Sequence, residues 1–251
     1  MRLALLAMLA SWPLLACGTP GPVFSDSFTS SSLDRGKWDT CYPWAAESGC
    51  TNAGNVELEW YLPKQVSVSD GTLHLTAQKE RVRGLDREGS AHWFPYRSGM
   101  VTTAGHYEFK YGQVEFQARA PKGRGLWPAL WLLPADESWP PEIDIMEAHG
   151  EDASHVMVSY HRTRSDALQT VVPVDGGIDT WHRYALDWRP DSLTWYIDQR
   201  PVFSVRSGAP HQPMYLLANL AMAGDKGHAP DSTTPASASL DIKDVRVWRN
   251  Q

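Results

Sequence analysis

The chain has 251 residues, of which 42% are hydrophobic and 21% charged, so it can bury one sizeable core in a single domain. Its formal net charge of −6 argues against a nucleic-acid partner, because binding to phosphates requires clustered Lys and Arg. The composition therefore favours one globular domain that acts on a neutral or basic substrate.

The first segment, residues 1–16, carries Arg2 followed by an apolar run that is short for a membrane span. This pattern is typical of a secretory signal peptide, which would be removed from the mature protein. The run ends in Leu14-Leu15-Ala16-Cys17, which resembles a bacterial lipobox, so Cys17 is a candidate for lipidation. An ordinary signal peptide cut within one residue of Cys17 is the alternative.

Both interpretations export the chain, either as a lipoprotein of the bacterial cell envelope or in secreted form. A lipid anchor at Cys17 would be its only link to a membrane. In an oxidising compartment the two remaining cysteines, Cys41 and Cys50, are expected to form a short-loop disulfide. Residues 17–22 would be a tether, and residues 23–251 the folded domain.

Short runs of alternating apolar and polar residues recur along the rest of the chain and predict half-buried β-strands. The clearest runs lie at residues 72–76, 113–119, 192–197 and 244–248. Turn signals separate them, and no stretch sustains a helical period. The pattern predicts an all-β fold, a sandwich of antiparallel sheets with a concave face.

One segment, Glu142-Ile143-Asp144-Ile145-Met146-Glu147, threads three carboxylates through apolar residues. Side chains alternate along a strand, so Glu142 and Asp144 share one face whereas Glu147 would point away. A β-bulge at Ile145-Met146 would return Glu147 to that face, and bulges often lie beside active sites. The strand would then present three acids in a row.

Such a row predicts a paired-acid active site. The outer Cα atoms would lie about 13 Å apart, and inward-leaning side chains would bring the outer carboxyls to about 5–6 Å. That separation suits a retaining glycosidase, since inverting enzymes need roughly 6.5–9.5 Å. Three like charges cannot all ionise cheaply, so one carboxyl should keep its proton near neutral pH. A solvated acidic strand is the alternative, which the intervening apolar residues disfavour.

Aromatic and polar groups near this segment are candidates for contacts with sugar. Trp127 and Trp131 fall on one face of a predicted strand, and flat indole rings suit the apolar faces of sugars. Core packing is the alternative for both. Asn55, in the mixed polar and aromatic segment of residues 55–61, and His161, on a strand after the acids, are further candidates. The alternatives are a strand with one solvent-facing side for residues 55–61 and a structural role for His161.

The acidic segment resembles the signature of glycoside hydrolase family 16 in its bulged form. The resemblance extends from about Phe24 to Trp248 and includes residues 98–103, 125–134 and 244–248. It implies a β-jelly-roll sandwich with a cleft across its concave sheet, and retaining cleavage inside β-linked glucans or galactans. The chain looks most like laminarinase-type endo-β-1,3-glucanases, some of which also cut mixed β-1,3-1,4-glucan.

The resemblance also implies a role for each acid. Glu142 matches the nucleophile, Glu147 the acid/base and Asp144 the supporting acid. The residues that fall where similar enzymes contact sugars are Asn55, Trp127, Trp131, His161 and Asn219. No cofactor or metal enters this chemistry, and a monomer is expected.

Two departures from the family pattern bear on specificity and on metal binding. Met100 stands where many laminarinases have an Arg that lines the donor side of the cleft. Lys243 stands where many members have an Asp that helps to bind a structural calcium ion. Asp241, two residues earlier on the same strand, would be the substitute ligand.

Other functions fit parts of the sequence. A transglycosylase or a galactan-cleaving enzyme would use the same acids, whereas a non-catalytic glucan-binding protein would have no need for both Glu142 and Glu147. A structural envelope lipoprotein would account for Cys17 alone. The prediction is a retaining endo-glycosidase acting on β-glucan.

Overall fold

The structure is a computed structural model that describes residues 21–45, 49–86, 88–225 and 227–250. The predicted signal peptide and Cys17 lie outside these residues. Within them, no helix has both the length and the apolar character needed to cross a membrane. The regular elements that the structure describes are two short 3-10 helices, Ala53–Asn55 and Pro63–Gln65, and strands throughout the rest of the domain.

The strands are numbered in chain order. They are β1 (Phe24–Asp26), β2 (Glu59–Tyr61), β3 (Val66–Ser69), β4 (Thr72–Gln78), β5 (Val82–Leu85), β6 (Ala91–Phe94), β7 (Tyr96–Ser98), β8 (Met100–Thr102), β9 (Gly112–Arg119), β10 (Leu126–Pro134), β11 (Glu142–Glu147), β12 (His155–Thr163), β13 (Asp166–Pro173), β14 (His182–Trp188), β15 (Ser192–Ile197), β16 (Arg200–Arg206), β17 (Met214–Met222) and β18 (Ser237–Trp248).

Two sheets form the body of the domain. The first follows the order β16-β15-β14-β9-β18-β4-β7-β2, with β1 beside β18 and β3 beside β4. The second has six strands in the order β13-β12-β11-β10-β17-β8, and β5 and β6 make a separate hairpin. The fold is the predicted antiparallel β-jelly-roll sandwich, except that the short strands β2 and β7 pair in parallel.

Alternation along each strand explains how the sheets pack together. In β15, Leu193, Trp195 and Ile197 are buried and their neighbours are only half-buried. These side chains belong to one core that also takes Leu130 from β10 and Ile143 from β11. Each fully buried aliphatic or aromatic side chain contributes about 1.5–3 kcal/mol to folding, so this core fixes the sandwich.

A second hydrophobic cluster lies on the opposite face of the six-stranded sheet. This cap cluster consists of Tyr42, Cys50, Tyr61, Met100, Trp131, Leu133, Tyr215 and Leu217. The predicted Cys41–Cys50 disulfide is present and ties the covering N-terminal segment together. Met100 is fully buried within the cluster, so it does not line an open donor side of the cleft.

The predicted strand segments are confirmed at residues 72–76, 113–119, 192–197 and 244–248. Residues 55–61 differ from the alternative of a single strand with one wet face. Asn55 ends a 3-10 helix, Val56 has φ 56°, and only Glu59–Tyr61 is extended. A β-branched residue in the left-handed region interrupts an extended chain, so the segment forms a turn before the strand.

Candidate active site

The predicted β-bulge is present in β11. Across the β10–β11 pair, Leu130 is opposite Met146 and the next residue of β10, Trp131, is opposite Asp144, so Ile145 is the extra residue. Ile145 and Met146 are both buried in the core between the sheets. Because two successive side chains point inward, Glu147 returns to the face of Glu142 and Asp144.

This face of the sheet, away from the main core, brings several predicted residues together. On β12, His161 lies opposite Glu142 and Ser159 lies opposite Asp144. On β10, Trp131 lies opposite Asp144. Side chains that are directly opposite in antiparallel strands lie about 4.5–5.5 Å apart at Cβ, so these groups form one continuous surface.

Glu142 has an indole partner that sequence reasoning missed. The Nε1–H group of Trp139 donates a hydrogen bond of 2.5 Å to Glu142 Oε2. Trp139 is 42% exposed, and the guanidinium of Arg164 lies 5.2 Å from its ring centroid. The only signal in the sequence was the position of Trp139 three residues before Glu142, just ahead of a Pro pair.

Asp144 is the most enclosed of the three acids, with a side chain 3% exposed. Its backbone oxygen accepts a hydrogen bond of 2.8 Å from Trp195 Nε1–H, which links the catalytic strand to the other sheet. Its Oδ2 lies 3.2 Å from His161 Nε2 but forms no hydrogen bond among the described residues.

Glu147 also accepts a hydrogen bond from an indole. Trp127 Nε1–H donates to Glu147 Oε1 at 2.9 Å. The Trp127 ring lies 5.7 Å from that of His149, which stacks on His228 with 3.6 Å between ring centroids. This histidine pair was also missed, because its members are far apart in sequence and neither belongs to the acidic motif.

The three acids hold protons more tightly than ordinary carboxyls. Burial raises the pKa of Glu142 to about 8; the charge of Asp144 adds to the rise, whereas His161 and the Trp139 N–H oppose it. Burial, then the charge of Glu147, raises the pKa of Asp144 well above its usual range. Burial also raises the pKa of Glu147, against the Trp127 N–H. The cluster thus retains protons near neutral pH.

The other predicted contact residues occupy different environments. Trp131 is 6% and Asn219 3% exposed, and Trp131 Nε1–H donates to Asn219 Oδ1 at 2.8 Å, so both lie in the floor of this face. Asn55 is exposed, and its Nδ2 lies 3.4 Å from Glu57 Oε1. The roles of these residues as substrate contacts stay predictions.

Metal binding has two candidate locations. One ligand atom each from Glu142, Asp144 and His161 lies within 4.8 Å of the others, among the residues assigned to catalysis. The residues around Asp241, in contrast, do not fit calcium. Its carboxylate accepts a 2.6 Å hydrogen bond from Arg119 and contacts His74 Nδ1 at 2.8 Å, so the Arg119 and His74 side chains occupy the oxygens that calcium would need.

Comparison with known proteins places this geometry among carbohydrate-active enzymes. The sequence profile of the family described as "Glycosyl hydrolases family 16" matches residues 44–240. Endo-1,3-1,4-beta-glycanase EglC of Rhizobium meliloti is 36% identical over 90% of this chain and 51% of its own length. The chain therefore spans about half the length of that relative.

Two further similarities cover most of the protein or domain that is compared. A beta-glucanase of Rhodothermus marinus is 30% identical over 90% of this chain and 84% of its own length. The crystal structure of the laminarinase catalytic domain from Thermotoga maritima aligns with a TM-score of 0.82 and 29% identity, covering 92% of this chain and 98% of that domain. The similarity therefore spans the whole sandwich.

Proposed function

Because the chain belongs to glycosyl hydrolases family 16, we propose that it is a retaining endo-hydrolase that cleaves β-1,3 linkages in β-glucan, including mixed β-1,3-1,4-glucan. The observation that carries the proposal is the bulged strand, which sets Glu142, Asp144 and Glu147 on one face. The substrate class is supported by the similarity to an endo-1,3-1,4-beta-glycanase, a beta-glucanase and a laminarinase.

In the first step, a carboxylate oxygen of Glu142 attacks the anomeric carbon and the glycosidic bond breaks. Glu147 transfers its proton to the departing oxygen, so the leaving sugar departs as a neutral alcohol and a glycosyl ester remains on Glu142. The Trp139 N–H, 2.5 Å from Glu142 Oε2, stabilises the carboxylate before attack and orients it.

In the second step, Glu147 is ionised and takes a proton from water while the water oxygen attacks the anomeric carbon. The ester bond to Glu142 breaks, and two inversions give net retention. The Trp127 N–H holds the Glu147 carboxylate through this stage. Carboxyl groups and water complete both steps, so we propose that the reaction needs no cofactor.

The cluster must hold protons on the correct members for this cycle to start. Glu142 has to be ionised and Glu147 protonated. Burial and the charge of Asp144 oppose the charged form of Glu142, whereas His161 and the Trp139 N–H favour it. Turnover therefore starts from the form in which Glu142 carries the negative charge, and this form becomes populated as pH rises toward the Glu142 pKa of about 8.

The test is the release of reducing ends from laminarin, barley mixed-linkage glucan, agarose and carrageenan, with Glu142→Gln as the inactive control. We expect cleavage of the two glucans in internal positions, with the β-anomer formed first by proton NMR. Cleavage of a galactan alone would overturn the substrate assignment, and initial release of the α-anomer would overturn the double displacement.

We also propose that the protein is exported and carries lipid at Cys17. The Cys41–Cys50 disulfide supports export, since such bonds persist in oxidising compartments. Mass spectrometry of the mature protein tests the proposal: a diacylglyceryl group on an N-terminal Cys17 is expected. An unmodified N-terminus near Cys17 would indicate secretion without an anchor.

A further inference from the structure

A second pair of carboxyls is buried away from the three catalytic acids. Glu57 is 8% exposed and Glu59, in β2, is completely buried. In the part of the chain that the structure describes, neither carboxylate is hydrogen-bonded to or ion-paired with a Lys, Arg or His side chain. Two buried acids without a cation require another source of compensation.

Glu57 receives neutral donors at both oxygens. Its Oε2 accepts from the Tyr61 hydroxyl and from the backbone N–H of Asn52, each at 3.3 Å. Its Oε1 accepts from Asn55 Nδ2 at 3.4 Å. Both oxygens therefore act as acceptors, which is the behaviour of an ionised carboxylate.

Glu59 is satisfied at only one oxygen. Its Oε2 accepts a 2.7 Å hydrogen bond from the backbone N–H of Met222, whereas its Oε1 has no donor. Glu57 is close enough to interact with Glu59, because burial and then the charge of Glu59 raise the pKa of Glu57. A proton on Glu59 Oε1, donated to Glu57, turns an unsatisfied acceptor into a donor and removes the repulsion between two buried charges.

This pair connects to the floor of the active-site face. The Tyr61 hydroxyl, which donates to Glu57, accepts a 2.9 Å hydrogen bond from Asn219 Nδ2. Asn219 Oδ1 accepts from Trp131 Nε1–H, and Trp131 lies opposite Asp144 on the neighbouring catalytic strand. Each group in the series has one donor direction, so the charge on Glu57 orients the whole series.

We propose that Glu57 and Glu59 share one proton, and that this proton keeps Tyr61, Asn219 and the Trp131 indole in position beside the catalytic strand. Glu57 and Glu59 are positioning residues, since they act through others. The shared proton stands on its own geometry, whereas the effect on catalysis rests on the proposed function.

The titratable groups that face Glu57 and Glu59 are tyrosines, which lose their protons at higher pH than the pair. Tyr42, from the N-terminal segment, and Tyr61, from β2, have pKa values raised well above the usual range, first by burial and then by Glu57. Both phenols therefore stay neutral while the pair loses its proton. β17 contributes only the Met222 backbone N–H and the neutral Asn219 amide.

Two isosteric variants separate this role from simple burial. In Glu59→Gln, the side-chain oxygen can still accept from Met222, and the amide supplies a permanent donor to Glu57. In Glu57→Gln, an amide nitrogen replaces an oxygen that accepts hydrogen bonds, so at least one donor is left unsatisfied. We expect Glu59→Gln to preserve the fold and Glu57→Gln to destabilise it.

The first measurement is the pH dependence of the Trp131 indole N–H resonance in nitrogen-15-labelled protein, assigned with Trp131→Phe. Between pH 5 and 10 we expect the wild type and Asp144→Asn to show a titration step of the pair beside any step from the nearby catalytic acids, and Glu59→Gln to lose the step of the pair. A resonance that stays constant in the wild type, or that titrates equally in Glu59→Gln, would overturn the proposal.

Unfolding provides a readout that needs no activity. Burial is the first cause that raises the pKa of both Glu57 and Glu59, so the pair in the folded state holds a proton that the unfolded state releases. Stability is therefore lost as pH rises toward the folded pKa. The wild-type folding constant should fall by up to about tenfold per pH unit relative to Glu59→Gln. Parallel stability profiles, or a Glu59→Gln chain that does not fold, would refute the shared proton even if the protein cleaves glucan.

Discussion

Two groups of buried carboxyls, one on β11 and one at β2, solve the same electrostatic problem in different ways. The outer two acids of β11, Glu142 and Glu147, are half-buried on the open sheet face, and each accepts a hydrogen bond from an indole N–H. Glu57 and Glu59 are sealed and are satisfied by neutral donors and, we infer, by one proton. Burial alone therefore does not make a carboxyl reactive.

The difference lies in what can approach each group. Glu142 and Glu147 are only half-buried, so a substrate can reach them, and their indole partners stabilise a charge that changes during turnover. The pair at β2 has no such access, and its hydrogen bonds run into the protein. The same chemical groups thus serve reaction in one place and positioning in the other.

The largest effect should come from the catalytic acids. Glu142→Gln removes the nucleophile and is expected to lower kcat by roughly 10⁴-fold or more, and Glu147→Gln by about 10²–10⁴-fold, with binding of laminarin oligosaccharides retained. The measurement is reducing-end release beside calorimetric binding. Glu88→Gln, an exposed change on the β5–β6 hairpin, is the control. Full activity in either acid variant would show that this residue of β11 is not a catalytic acid.

The indole donors should affect different limbs of the pH profile. Trp127→Phe keeps a ring but removes the donor to Glu147, and Trp139→Phe does the same at Glu142. Loss of a hydrogen bond to a charged group should lower kcat/KM by about 10- to 100-fold. Each loss raises the pKa of its acid, so Trp127→Phe should move the alkaline limb upward and Trp139→Phe the acid limb. If kcat/KM falls by the same factor at every pH, so that neither limb moves, these assignments are wrong.

A smaller effect is expected from Asp144→Asn on the acid limb. After burial, the charge of Asp144 is the largest cause that raises the pKa of Glu142. A neutral amide lets Glu142 ionise at lower pH, so the acid limb of kcat/KM should move down by about one pH unit. An upward movement would show that Asp144 mainly stabilises the charge on Glu142.

The smallest effect should appear in stability. The folded state holds a proton on Glu142 up to about pH 8, whereas the unfolded chain releases it near its ordinary pKa. Wild-type Tm should therefore decline from pH 5 to pH 8. In Glu142→Gln the drop in Tm between pH 5 and pH 8 should be smaller by about 2–4 °C. Equal slopes in calorimetric scans would mean that Glu142 ionises normally in the fold.

Much of the site was predictable because it depends on one strand. The two-residue period of a strand, applied to Glu142, Asp144 and Glu147, required one bulge, and the structure has it at the expected residues. The shared strand face of Trp127 and Trp131 followed from the same alternation, whereas the hydrogen bond from Trp127 to Glu147 came only from the structure. Trp139 was missed because it lies in a loop, where no period indicates the direction of a side chain.

Burial was harder to predict than position. Trp127 and Trp131 lie on the same face of β10, yet Trp127 donates a hydrogen bond to Glu147 whereas Trp131 is buried within the cap cluster. Which of them is covered depends on the N-terminal segment and on β17, both remote in sequence. In the same way, Glu57 and Glu59 read as one wet face of a strand, and only the packing of β17 against them makes them buried.

The sequence by itself determined the all-β sandwich, the strand segments, the bulged acidic strand and the Cys41–Cys50 pair, because alternation and short spacings are local properties of the chain. Only the tertiary structure decided which side chains lose water, which indole meets which acid and where protons are held. Those properties arise from segments that are far apart along the chain, and the cost of removing charge from water depends on all of them together.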